Sequence, residues 1–102
     1  MSLKNFRTFG LSVEFHRNCT KKKLPGYLKS QLLRASSSIS LNLAEGSSKP
    51  TQKDQMKFYH IALGSLRECQ AALALSPVAD SELIALADQL GSCLFRLCYP
   101  RT

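Results

Sequence analysis

Tryptophan is missing from this 102-residue chain, and so is most of what marks a membrane protein, a secreted protein or an enzyme. No apolar run approaches the roughly 20 residues that a membrane-spanning helix needs, so no membrane partner is expected. The amino-terminal stretch lacks the apolar segment of a secretory signal. The four cysteines, Cys19, Cys69, Cys93 and Cys98, form no CxxC pair, and the last two fall on different helix faces. Free thiols in a cytoplasmic protein are the expectation. His16 and Cys19 have a spacing that shares a helix face, but two ligands do not make a metal site. No metal and no cofactor is therefore expected. GxGxxG, the P-loop and HExxH are all absent. Neither His16 nor His60 follows a glutamate by three residues, which removes the Glu-x-x-His signature of di-iron bundles. Asp54, Glu68 and Asp88 fall on separate surfaces, and Ser36 to Ser38 lack the strained turn of a nucleophile. No catalytic constellation emerges, and no enzyme is expected. Strand alternation and internal repeats are missing as well.

What is there is helical periodicity. The central stretch is Ser30–Gly46, SQLLRASSSISLNLAEG. At about 100° per residue, Leu28, Leu32, Ala35, Ile39 and Leu43 form one apolar stripe. Leu33, Ser37, Ser40, Leu41 and Ala44 form a second, smaller one on the opposite side. Between them runs a polar edge of Gln31, Arg34, Ser38, Asn42 and Glu45. A helix apolar on two sides is covered on two sides, by partner helices and then by a second subunit or by the rest of a monomeric bundle. The polar edge reads as a seam that sets helix register or as part of an oligomer interface. Arg34 and Glu45 are too far apart to pair with each other, and each requires a partner elsewhere.

A first helix spans residues 3–19, with Phe6, Phe9, Gly10 and Val13 on one side and Leu11 and Phe15 on the other. Pro25 suits the first turn of the second helix, and Gly46 suits its end, where glycine accepts a positive φ. Thr51 caps a third helix over 52–75, with Asp54 completing a short capping box. Its core stripe is Phe58, Ile61, Ala62, Ser65, Leu66, Cys69, Ala72 and Leu73. After Ser76-Pro77, Asp80 or Ser81 caps a fourth helix with Leu83, Ala87, Leu90, Leu94 and Leu97 inward. Ala85, Asp88, Gln89, Ser92 and Arg96 face out, and Pro100 ends the helix. Residues 1–102 thus form one all-α domain, an antiparallel up-down-up-down four-helix bundle.

Formal net charge is +7, and eleven of the fourteen basic residues lie in residues 1–57 against three of the seven acids. That excess suits a face directed at a polyanion; its alternative is a solvated basic surface. Lys53, Lys57, His60, Gly64 and Arg67 recur at steps of four and three, a basic ridge along one helix that would meet phosphates with little need for base contacts. Lys21, Lys22, Lys23 and Lys29 make a second patch. Gly64 in mid-helix costs about 1 kcal/mol against Ala and points to a neighbouring backbone, subunit or ligand coming close.

Two blocks carry a family resemblance. Gln31-Leu32, Arg34-Ala35, Ser38-Ile39 and Asn42-Leu43-Ala44-Glu45-Gly46 match a QLxRAxxSIxxNIAEG pattern. Phe58 to Glu68, FYHIALGSLRE, matches FLxIALGSLxE. The chain resembles the small bacterial four-helix bundle proteins also called 23S rRNA intervening-sequence proteins. That resemblance implies a cytoplasmic bacterial protein that assembles as a ring-like homopentamer. It also implies distant relatives among the basic accessory proteins of diversity-generating retroelements, which bind nucleic acid and a reverse transcriptase. The family's first helix usually carries a tryptophan where this chain reads FRTFGL from Phe6 to Leu11, and its loop before the second helix is longer and more acidic than the lysine-rich stretch here.

The expected function is therefore binding of nucleic acid, structured RNA first, through Lys21, Lys22, Lys23, Lys29, Lys53, Lys57 and Arg67. Gln31, Arg34, Ser38, Leu41, Asn42, Glu45 and Gly64 are the expected seam or subunit interface. The alternative is a protein-interaction scaffold that recruits a nucleic-acid-processing enzyme such as a reverse transcriptase.

Overall fold

Helical periodicity dominates the computed structural model, which describes the backbone of residues 3–78 and 80–101 and the side chains of 7–78 and 80–101. Four helices follow in order: α1 (Leu3–Lys21), α2 (Gly26–Ser47), α3 (Gln52–Leu75) and α4 (Ser81–Cys98). No strand occurs among the described residues. Each helix packs on its neighbours in sequence, and α1 also packs on α4, which closes a four-membered arrangement around one core. No described helix is long and apolar enough to cross a membrane.

The α2 and α4 stripes go where their spacing sends them. Leu28, Leu32, Ala35, Ile39 and Leu43 are buried, and so are Leu83, Ala87, Leu90, Leu94 and Leu97. Helix starts follow local chemistry. Thr51 Oγ1 accepts the Asp54 amide at 3.2 Å, and Asp80 Oδ1 accepts the Leu83 amide at 3.0 Å, filling two donors that a helix start leaves open.

Four expectations change. First, α1 buries Thr8, Ser12, Phe15 and Cys19, a stripe that is half hydroxyl and so invisible to an apolar count. Phe9, Leu11 and Val13 are half-buried beside it, and Gly10 is exposed. The side chain of Phe6 lies outside the described residues. Ser12 Oγ donates to the Phe9 carbonyl at 2.6 Å and meets Ser40 Oγ of α2 at 2.8 Å, so burial leaves it satisfied. Second, Pro25 is the N-cap of α2, one place earlier than expected; its carbonyl accepts the Leu28 and Lys29 amides.

Third, Gly46 lies inside α2 and has no positive φ. The helix runs on through Ser47, and the glycine is required for clearance. A Cβ there would meet Tyr59 Cε1 at 2.8 Å and Phe58 Cβ at 2.9 Å. Fourth, Tyr59 is buried on α3, Phe58 is half-buried and Ile61 is exposed. The contact with Gly46 admits the Tyr59 ring beneath α2, and the helix is thereby turned so that Ile61 faces out.

Candidate nucleic-acid interface

The register of α3 decides what its two outer edges carry. Toward α2, Ser65 Oγ donates to Ser38 Oγ at 2.9 Å, and Arg34 Nη2 donates to Glu68 Oε2 at 2.6 Å. Toward α4, Gln70 Nε2 donates to Asp88 Oδ1 at 3.3 Å, and His60 meets Tyr99 edge to face at a centroid distance of 5.3 Å. The ridge Lys53, Lys57, His60, Gly64 and Arg67 lies on the α4-facing outer edge, and all five residues are exposed. Among the described residues, no carboxylate forms an ion pair with Lys53, Lys57 or Arg67. Arg67 Nη1 donates only to the neutral Gln70 side chain, at 2.8 Å. The ridge covers about 21 Å of helix axis at 1.5 Å per residue, a length that spans several consecutive phosphates.

The second lysine patch is differently placed. Lys21 and Lys23 are exposed. The Lys22 side chain is only 10% exposed; its ammonium sits 3.6 Å from Asp80 and donates to the Val78 carbonyl at 3.4 Å. Lys29 Nζ donates to the carbonyls of Cys19 (3.2 Å), Thr20 (2.8 Å) and Lys22. A cation there fills the open acceptors at the end of α1 and meets the negative end of its dipole. Both ammoniums are thus engaged within the chain. A cleft of about 600 Å³ between α1 and α4 holds the three consecutive lysines, but Glu14, Asp80 and Glu82 line it too, which offsets its attraction for phosphate.

The polar edge of α2 forms a seam against α3. Asn42 Nδ2 donates to the Ser38 carbonyl at 2.9 Å and to Ser38 Oγ at 3.0 Å, and Ser38 meets Ser65. Gln31 accepts from Arg34 at 2.8 Å, and Glu45 pairs with Lys49 at 3.3 Å. Arg34 and Glu45 each find a partner within the chain. Leu41 stands apart from this seam, 69% exposed. Gly64 is exposed, and a Cβ built on it meets nothing within 4 Å.

Sequence reasoning missed two residues on the basic side. Phe95 and Tyr99 are 51% and 54% exposed, with ring centroids 4.7 Å apart. Their i, i+4 spacing outside the leucine stripe of α4 was the available signal. Three thiols offer no chemistry. Burial pushes Cys19 up to about 12 and Cys98 up to about 11, and pushes Cys69 higher still. They stay protonated at neutral pH and are poor nucleophiles. His16 Nδ1 is bound to Ser36 Oγ at 2.6 Å.

A family model described as 23S rRNA-intervening sequence protein matches residues 6–90. No curated protein and no solved structure matches the chain.

Proposed function

The chain belongs to the 23S rRNA-intervening sequence protein family, and from that premise we propose that it is a cytoplasmic, non-catalytic nucleic-acid-binding bundle. Structured RNA is its leading partner. The observation that carries this reading is the exposed α3 ridge, whose cations have no carboxylate partner among the described residues. Phosphate contacts of this kind give affinity with little sequence preference and a steep dependence on salt. Lys21 and Lys23 add to the field; Lys22 is engaged by Asp80 and the Val78 carbonyl, and Lys29 holds the α1 end.

The bundle is antiparallel, up-down-up-down, and assembles as a ring-like homo-oligomer, a pentamer in this proposal. The register that pairs Ser38 with Ser65 and seats Tyr59 on Gly46 brings Leu41 and Ile61 to one level of the outer α2–α3 groove. They are 69% and 50% exposed, which suits an apolar subunit contact on the edge of α3 away from the ridge. Repeating the ridge around a ring multiplies phosphate contacts by avidity.

The test is binding of labelled structured RNA, single-stranded RNA and duplex DNA at low and at physiological salt. Lys53→Glu with Lys57→Glu removes two phosphate contacts. It should lower affinity for every probe and reduce the salt slope by about two. Unchanged affinity would remove the ridge as the site. A second reading is a protein-interaction scaffold, favoured by Tyr27, Leu75 and Val78, exposed apolar residues near the 22–25 and 76–80 connections. Its mark is a protein complex that survives high salt.

A further inference from the structure

We infer that the α3–α4 groove is a stacking site for the unpaired bases of a single-stranded nucleic acid, with the α3 ridge holding its phosphates. The inference rests on the ridge reading and adds what part of the nucleic acid is held. Opposed contacts set the groove: His60 against Tyr99 at one level and Gln70 against Asp88 at another. The same register places Phe95 across from Gly64. Arg67, Ser92, Phe95 and Arg96 line a common depression of about 460 Å³ over Gly91.

Three observations converge. Phe95 and Tyr99 are half exposed although α4 already has a complete buried stripe, so no packing need among the described residues accounts for them. Their rings form one tilted ledge, continued by the edge-to-face His60. Phe95 offers π-surface beside the Arg67 and Arg96 guanidiniums, and that pairing suits planar bases on an anionic backbone. Gly64 is the third. It weakens the helix, yet no atom of the described chain comes close enough to require it. It leaves a bare strip of helix beside the ledge, between Lys57 and Arg67, where a sugar–phosphate backbone can lie close. Charge selects this occupant over an apolar protein segment. Arg67 and Arg96 border the groove, and Lys57 and Lys53 continue the ridge along α3 beyond it; the carboxylate in the groove, Asp88, is held by Gln70 at its far end. Bases paired inside a duplex present no free face to the rings, so single strands and loops are the expected ligands.

The experiment compares three fluorescent probes on the full chain: a short oligouridine, an abasic strand with the same number of phosphates, and a duplex. Phe95→Ala with Tyr99→Ala should weaken oligouridine binding by about ten-fold or more. It should leave the abasic strand and the oligomeric state unchanged, and Tyr99→Phe should retain binding. A deoxyuridine strand separates DNA from RNA. Equal loss on both single strands, no loss on either, or dissociation of the oligomer would overturn the inference. Lys57→Glu with Arg67→Glu tests the underlying reading separately, because it should weaken the base-bearing and abasic strands alike. Should that pair change neither, the ridge fails, whatever the rings show.

Discussion

The two outer grooves of α3 use glycine in opposite ways. In the α2–α3 groove, Gly46 is buried under Tyr59 and Phe58, and no further atom fits. In the α3–α4 groove, Gly64 is exposed and its surroundings are open. The first groove closes on itself through hydroxyl and ion-pair contacts within the chain. The second carries cations and aromatic rings that the chain leaves half used. At these two glycines, then, one side of α3 is closed by the chain's own packing and the other is left open. Residue type alone does not distinguish them.

The largest expected effect strikes beneath both grooves at once. Cys19, Cys69 and Cys98 titrate well above their ordinary value of 9.0, first because burial disfavours the thiolate. The unfolded chain loses these protons first, so stability is full below about pH 9 and falls as pH rises through the folded values. Each thiol contributes about 1.4 kcal/mol per pH unit in that window. Urea midpoints at pH 8 and pH 10 should differ sharply, and Cys69→Ala should reduce the difference by about a third.

Next in size, Gly46→Val should destabilise the bundle by about 3 kcal/mol or more, since overpacking displaces the Tyr59 ring and the α3 backbone behind it. Gly46→Ala should follow in the same direction. Gly64→Ala should do the reverse and stabilise by about 1 kcal/mol, raising Tm by about 4–8 °C. If both alanine variants moved Tm the same way, the contrast between the grooves would fall. The smallest effect belongs to Arg34→Gln. The Arg34–Glu68 pair is exposed on both sides, and exposed pairs contribute about 0–1 kcal/mol. A loss well above that in denaturant titration would show that charge, not the Gly46–Tyr59 fit, holds α2 on α3.

Much of the bundle was legible from spacing. Helices α2 and α4 repeat leucine, isoleucine and alanine at helical intervals, and burial follows that repeat because apolar area leaves water wherever two stripes meet. Helix α1 was less legible, since Thr8 and Ser12 are buried by satisfied hydroxyls and not by apolar area. The ridge was legible too, as a run of cations at steps of three and four. Phe95 and Tyr99 were not, because an aromatic residue beside a leucine stripe reads as core until the packing shows the stripe complete.

By itself, then, the order of residues determined four helices, two of their caps and the line of cations along α3, all of which depend on neighbours within one or two turns. Tertiary structure decided which lysines are free, which glycine is required and which rings face water. Lys29 and Lys57 are alike as side chains; they differ because the end of α1 presents three carbonyls to one of them, and the described residues offer no carboxylate to the other. A side chain's role is set by the groups another helix brings within hydrogen-bond distance, and that is a property of the packed bundle.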